Sequence, residues 1–451
     1  MNSQMRKLLL SNLQPLLCMK TFHRTAAACL IHDISCGKSY DQPCDRKHQR
    51  WLTRCSGKPI HGGLTQMENK RYFSCTANTM SSGRVIDIRS DTFTKPTPEM
   101  YKAMMNAELG DDVYDGDPTA EKLQDTVAKM MKKEAALFVP TGTMGNLVSI
   151  MAHCQGRGEE VLLGEECHIL VWEQAGISQI ANVNARAVKT SPDGKLCLKD
   201  LEAKIRWRSD PHWPITRLIC LENTFSGRVL PLDYLKQVRE LADKYNVKIH
   251  LDGARLMNAV VALGTTPDAV VQYCDSVSMC FSKGLGCPVG SIVAGDKDFI
   301  ARALRHRKVL GGGMRQSGIL AAAALVALDK SVARLHVDHD NAKKLAKGLV
   351  DMKSSVFTAD PQAVETNMVI IQIQDGTNPM TVCQLLATRH EGEEAALGQP
   401  VHMKIFPFNG SSLRGTFHQD VSTDDVDWIL KKLKFVSDLL SSSKGRLSLM
   451  V

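Results

Sequence analysis

Aromatic residues are scarce, 5% of the 451 residues, and no apolar run approaches the length of about 20 that a membrane-spanning helix needs. The second shortage excludes a spanning helix, and no membrane partner is expected. The first leaves core filling to the plentiful alanine, leucine and valine, a composition suited to helices packed around a parallel sheet. Zinc-like cysteine pairing is also missing. Six of the 14 cysteines (Cys18, Cys29, Cys36, Cys44, Cys55, Cys75) are scattered through the first 84 residues. Others, such as Cys154, Cys220, Cys280 and Cys383, sit inside apolar runs as small core hydrophobes, which points to a reducing compartment and no metal site. Neither a Gly-Lys-Ser/Thr loop nor a GxGxxG turn occurs at the candidate anion site, which excludes the common nucleotide fingerprints there. Excess charge is absent from the body of the chain. Of the net +8, Met1–Val85 carries 13 Lys and Arg against 4 Asp and Glu, and the remainder carries 43 against 44. A nucleic-acid surface is therefore excluded as the meaning of that charge.

What the N-terminal stretch does contain is basic and periodic. Arg6, Lys7, Lys20 and Arg24 precede the first acid, Asp33, and Leu8, Leu9, Leu10, Leu13, Leu16 and Leu17 recur at near-helical intervals. That is the pattern of a mitochondrial transit peptide, and a mitochondrial location is expected. A disordered tail, or translated sequence ahead of a later start at Met67 or Met80, would look alike and leave the protein cytosolic. Residues 32–84 have no periodicity and read as linker, so 1–84 form a basic leader.

Order is expected from Val85. Through residues 85–335 apolar runs of strand length (Ala135–Pro140, Glu159–Leu163, Leu218–Asn223, Val247–Asp252, Ser276–Phe281, Ser291–Ala294) alternate with amphipathic helices, which predicts a large α/β domain. An alanine-rich helix from Ser317 to about Leu335 leads to a smaller α+β domain over 336–451. Its expected strands are Met368–Ile373, Val401–Pro407 and one around Arg414, and its last helix is capped by Ser422 and Asp425.

Three local features carry chemistry. Lys283 ends a buried strand among Gly284, Gly286 and Gly290, where desolvation would lower its pKa and make the amine nucleophilic enough for a Schiff base. A lysine that merely ends a strand at the surface would read the same from this stretch alone. Gly142 and Thr143 open a helix rich in small residues, which is either a capping turn or an anion site built from free N–H groups and the helix dipole. Asp252-Gly253-Ala254-Arg255 puts a carboxylate and a guanidinium at the C-terminal edge of the sheet, where open α/β sheets bind ligands. Phosphate, ring nitrogen and aldehyde are the three contacts pyridoxal phosphate requires, and the Gly142–Thr143 turn, Asp252 and Lys283 match them in that order.

The segments IDIRSDTFTKPTPEM, ELGDDVY, AALFVPTGTMGN, HLDGAR, SKGLGCPVG and GGGMRQ, in this order and spacing, closely resemble the threonine aldolases. The resemblance covers about Val85 to Val451. It implies a fold type I architecture: a mostly parallel central sheet in the large domain and a smaller α+β C-terminal domain. It also implies pyridoxal 5'-phosphate as cofactor, a small amino-acid substrate and a homodimer or homotetramer. By the same resemblance Lys283 is the Schiff-base residue, Asp252 the partner of the pyridine nitrogen, and Gly142 and Thr143 the phosphate contacts. His168, which by itself reads as a structural histidine, stacks on the ring and is the candidate for moving the hydroxyl proton. Arg255 is a cofactor-site arginine and Arg315 approaches the phosphate. Ser90 and Arg414 grip the substrate carboxylate, and Tyr114 lines the pocket, from a neighbouring subunit in one version. The implied reaction is retro-aldol cleavage of L-threonine or L-allo-threonine to glycine and acetaldehyde. One departure stands out: the turn after Glu222-Asn223-Thr224 carries Phe225 where the family usually has a histidine, in a shortened loop. That keeps open a homologue with weakened aldolase activity, acting as a β-eliminating lyase or racemase. A non-enzymatic protein that kept the fold is opposed by intact Lys283, Asp252 and His168.

Overall fold

The computed structural model describes residues 83–442; the transit-peptide reading of the leader lies outside the described residues. Strands run β1 Arg84–Asp87, β2 Ala135–Val139, β3 Glu159–Gly164, β4 Asn184–Val188, β5 Ile215–Glu222, β6 Lys248–Gly253, β7 Ser276–Cys280, β8 Ser291–Gly295, β9 Phe357–Ala359, β10 Met368–Ile373, β11 Val401–Lys404, β12 Phe406–Asn409 and β13 Ser412–Thr416. Helices of eight or more residues are α1 Pro98–Met105, α2 Pro118–Met130, α3 Gly142–His153, α4 Leu232–Lys244, α5 Leu256–Leu263, α6 Lys297–Val309, α7 Gly318–Val326, α8 Val332–Asp351, α9 Pro379–Ala387 and α10 Thr423–Ser442.

Seven strands form one sheet in the order β2-β8-β7-β6-β5-β3-β4. The run from β7 to β4 is parallel, and β8 is antiparallel to both its neighbours. Its strands read as continuous apolar runs because both faces are covered. In β3, Leu162 enters the core on one face while Val161 and Leu163 enter the core on the other. Helix α3 lies on the second of these faces, with Ile150 in the core shared with β3 and Val148 and Ala152 in that shared with β2 and β8.

A smaller antiparallel sheet, β12-β13-β10-β9, forms the C-terminal domain, where α8 and α10 bury Leu345, Leu349, Ile429 and Leu433 in a separate core. Ser422 and Asp425 make the expected cap: the Asp425 N–H donates to Ser422 Oγ at 3.2 Å, and the Ser422 N–H donates to Asp425 Oδ2 at 2.7 Å.

Four features differ from expectation. The alanine-rich helix does not stop near Leu335; it passes through a π-helical turn at Ala327–Ser331 and continues as α8 to Asp351. Apolar residues at helical spacing beyond 335, including Ala342, Leu345 and Leu349, keep one stripe buried and so sustain it. The run Val401–Pro407 splits into β11, paired with β1, and β12, paired with β13. Strand β1, expected to open the large domain, is therefore parallel to β11, and Ile86 and Ile88 pack in the C-terminal core. Edge strand β4 gives no apolar run because, apart from Val188, its side chains are only half-buried or exposed.

Candidate active site

Parallel strands bring their C-terminal ends to one edge, and the N-terminus of α3 reaches the same place. Asp252 ends β6 and is 2% exposed. Glu222, its register partner on β5, lies beside it. Burial, then the charge of Asp252, pushes the Glu222 carboxyl up to about 7. Asp252 Oδ1 accepts from the Ala254 N–H at 3.0 Å, and Oδ2 accepts from Asn146 Nδ2 at 2.8 Å. The same Asn146 amide donates to Glu173 Oε1 at 2.9 Å, and Glu173 Oε1 lies 3.0 Å from His168 Nδ1. That bond raises the His168 pKa against the opposing effect of burial, while burial raises that of Glu173.

One side-chain ligand atom each of His168, Glu173 and Asp252 lies within 4.8 Å of the others, close enough to ligate a cation. Asn146 argues against it: its amide hydrogens point at both carboxylates, and a cation there would have to displace them.

Lys283 follows β7 in a turn that only glycine permits. Gly286 has φ +79°, and a Cβ on it would stand 2.5 Å from Gln419 Nε2. The Gly286 N–H donates to the Lys283 carbonyl at 2.8 Å. Among the described residues the Lys283 amine makes no hydrogen bond or ion pair. A Cβ on Gly284 would stand 3.6 Å from Asp91 Oδ2, so the lysine turn touches a second cluster. There Arg255 donates through Nε and Nη2 to the two oxygens of Asp91, at 2.7 and 2.6 Å, and Asn367 Nδ2 adds a third donor at 3.3 Å. Burial would raise the Asp91 carboxyl; the Arg255 guanidinium overrides it and holds the pKa below its usual value. Ser90 is buried beside this pair. Arg414, on β13, is half-buried; burial, then the charge of Arg255, lowers its pKa. Its Nε is buried with no hydrogen-bond partner among the described residues. With Arg255 neutralised by Asp91, an unpartnered guanidinium is left that suits an incoming carboxylate.

At the start of α3, Thr141 Oγ1 accepts from the Met144 N–H at 3.1 Å, leaving the N–H groups of Gly142 and Thr143 outside the helical ladder. A Cβ on Gly142 would stand 2.6 Å from Cys280 Sγ, so this cradle has room for an anion only because the residue is glycine. Lys283, Asp252, His168, Arg255 and Ser90 thus lie within this linked set, and Arg414 borders it.

Tyr114 and Arg315 join each other instead. The Arg315 guanidinium stands 5.0 Å from the Tyr114 ring and donates to both Asp111 oxygens at 3.2 and 3.1 Å. Tyr114 is 78% exposed. Among the described residues no hydrogen bond ties this pair to the Lys283 group. The Phe225 turn is a two-residue hairpin: Ser226 and Gly227 have φ +48° and +87°, and Phe225 and Arg228 exchange backbone bonds at 2.9 and 2.8 Å. Phe225 packs on Gly194. Sequence reasoning missed Asp91, Asn146, Glu173, Glu222 and Asn367. Asn146 had a signal, the one amide side chain of α3 and set among apolar residues; Glu173 follows a helix of four residues, too short to show a period.

Solved structures with this architecture include a threonine aldolase of Leishmania major (TM-score 0.63, 18% identity, covering 78% of this chain and 99% of that one). A serine palmitoyltransferase of Sphingomonas wittichii is another (TM-score 0.59, 18% identity, covering 78% and 87%). At such identities they establish the fold, which is that of the fold type I enzymes. Residues 87–375 match the family model described as Beta-eliminating lyase. Low-specificity L-threonine aldolase 1 of Arabidopsis thaliana is 48% identical over 351 residues, 77% of this chain and 95% of that protein. The low specificity L-threonine aldolase of Escherichia coli K12 is 43% identical over 345 residues, 76% and 96%. This chain belongs to the beta-eliminating lyase family and, within it, to the low-specificity L-threonine aldolases.

Proposed function

We propose that this chain is a pyridoxal-phosphate-dependent aldehyde-lyase that cleaves L-threonine and L-allo-threonine between Cα and Cβ, giving glycine and acetaldehyde. The observation that carries the reading is the linked set of Lys283, Asp252 and the α3 N-terminus, in a chain 48% identical to a named aldolase. The residues fit the cofactor. Gly142 and Thr143 would hold the phosphate, Asp252 the pyridine nitrogen and Lys283 the aldehyde carbon. Pyridoxal phosphate supplies an electron sink for the pair released as Cα–Cβ breaks.

The protein's own groups do the rest. Arg414, with Ser90 beside the Arg255–Asp91 pair, grips the substrate carboxylate and so orients the bond to be broken. His168, braced at Nδ1 by Glu173, takes the β-hydroxyl proton at Nε2. With the cofactor bound, acetaldehyde would leave, a proton would be returned to Cα, and the Lys283 amine would be the group placed to take back the aldehyde carbon as the glycine amine is released. The protein with its cofactor should show a visible absorption band that Lys283→Ala abolishes. A colourless wild type after reconstitution removes the cofactor, and a coloured protein that releases no aldehyde from either diastereomer removes the aldolase.

A homodimer or homotetramer belongs to the same proposal. Its support is the apolar surface one chain leaves open: Met105 is 86% exposed, Tyr114 78% and Val309 75%. Sedimentation should give at least twice the chain mass. Mitochondrial targeting by residues 1–84 rests on their charge and leucine pattern. Fusing them to a fluorescent protein tests it, and cytosolic fluorescence would refute it. Residues 85–335 as a large domain and 336–451 as a small one, with β1 lent to the latter, is our division of the chain.

A further inference from the structure

Strand alternation sorts β6 and β7 into two faces. Ile249, Leu251, Val277 and Met279 enter the large core, so His250, Asp252, Ser276 and Ser278 face the other way. Helix α3 covers that face and turns Asn146, Ser149 and His153 toward it, at i, i+3 and i+7 on one helical stripe. A polar seam is thus built between helix and sheet, with Asn146 and Ser278 each 2% exposed and His250 and Ser276 fully buried.

Hydrogens in the seam can be assigned by counting. Asn146 Nδ2 gives one hydrogen to Asp252 Oδ2 at 2.8 Å and one to Glu173 Oε1 at 2.9 Å. Its Oδ1 can only accept, and it receives Ser278 Oγ at 2.7 Å and faces His250 Nε2 at 3.2 Å. His250 therefore carries its proton on Nε2. Its Nδ1 is then an acceptor, filled by the Ser276 hydroxyl at 2.8 Å. Ser276 has no second hydrogen, so the contact at 2.7 Å is His153 Nε2–H donating to Ser276 Oγ. Every donor points the same way. Burial pushes the His250 pKa down to about 3 and that of His153 to about 4, so neither ring gains a proton that would reverse the order near neutral pH.

We propose that His153, Ser276, His250 and Asn146 form a one-directional donor chain that positions Asp252 as an oriented carboxylate for the pyridine nitrogen. Its second branch leaves Glu173 as the acceptor for His168 Nδ1–H, so that Nε2 is the ring nitrogen left to face the substrate hydroxyl. These are positioning residues, acting through Asp252 and Glu173. The proposal rests on the cofactor reading above.

The test measures binding of pyridoxal phosphate, and of its 1-deaza analogue with carbon in place of the ring nitrogen, to the full-length protein freed of cofactor. Wild type should prefer pyridoxal phosphate by about tenfold or more. Failure to bind either ligand refutes the cofactor reading; equal binding refutes the Asp252 contact, and the chain falls with it. Ser276→Ala and His250→Leu should weaken pyridoxal phosphate about tenfold and move the analogue by less than about twofold. His250→Gln can still donate to Asn146 and accept from Ser276, and should recover most of the affinity. Parallel loss of both ligands, or unchanged affinity in Ser276→Ala, overturns the proposal even if the leucine variant does not fold. So does a ¹⁵N spectrum of labelled histidine that puts the His250 proton on Nδ1.

Discussion

Glu222 and Asp252 are register partners on adjacent strands, and one consequence of that pairing is measurable. The unfolded chain releases the Glu222 proton near 4.5 and the folded chain near 7, so between those values the folded state binds the extra proton. Stability of the cofactor-free protein should therefore fall as pH rises through that interval, on account of this group. Glu222→Gln removes the contribution: from about pH 5 to about pH 8 its urea midpoint should drop less than that of wild type. Equal slopes would refute the assignment. Asp91 works in the opposite sense, since its depressed pKa adds stability above the ordinary carboxylate range and loses it as pH falls through the folded value. Arg414 is tested by kinetics. A charge-assisted contact of about 1.5–3 kcal/mol lost in Arg414→Ala should raise KM for threonine about tenfold or more, with a smaller change in kcat. An unaltered KM would remove Arg414 from substrate binding.

At the scale of elements, α3 has two tasks: its first turn offers N–H groups to an anion, and its underside carries Asn146 to the two carboxylates. Both depend on how closely it approaches β7. A methyl group on Gly142 would meet Cys280 Sγ at 2.6 Å, so Gly142→Ala should force the first turn outward. Overpacking of about 1–3 kcal/mol should appear as weaker cofactor binding, and Cys280→Ala in the same chain should restore part of it. If the double variant binds no better than the single one, the close approach is not the cause. The Phe225 hairpin is tied to the small domain in a comparable way: Thr366 Oγ1 donates to the Gly227 carbonyl at 2.7 Å, and Arg228 pairs with Glu365 at 3.0 Å.

For the whole molecule, the continuous run from α7 through the π-helical turn into α8 joins the two cores. Site residues come from both, with Arg414 and Asn367 supplied by the C-terminal domain, Ser90 and Asp91 by the turn after β1, and the rest by the large domain. Loss of the second core should therefore cost activity. That core holds a fully buried ion pair, Lys432 Nζ to Glu393 Oε2 at 2.8 Å, with the Thr388 carbonyl as a further acceptor. Lys432→Met leaves a buried carboxylate without its cation. A loss of about 3–5 kcal/mol is expected, read as a lower urea midpoint by circular dichroism. A shift within experimental error would mean that the backbone N–H groups of His390 and Val401, which donate to Glu393 at 3.0 and 2.9 Å, suffice.

Residue identity and spacing alone determined six of the seven strands of the large sheet, the final helix cap and the separate candidacies of Lys283, Asp252 and the Gly142–Thr143 turn, because buried strands, caps and glycine turns are local events with local signatures. Asp91, Glu173 and Asn367 left no such mark. Asp91 and Arg255 are 164 positions apart, and Asn146 and Asp252 are 106 apart, so their pairing exists only once the sheet has formed. Tertiary structure also decided that Tyr114 and Arg315 meet each other at the surface and that β1 serves the C-terminal core. A buried charge needs a partner wherever the chain can bring one, and folding chose partners that periodicity does not encode.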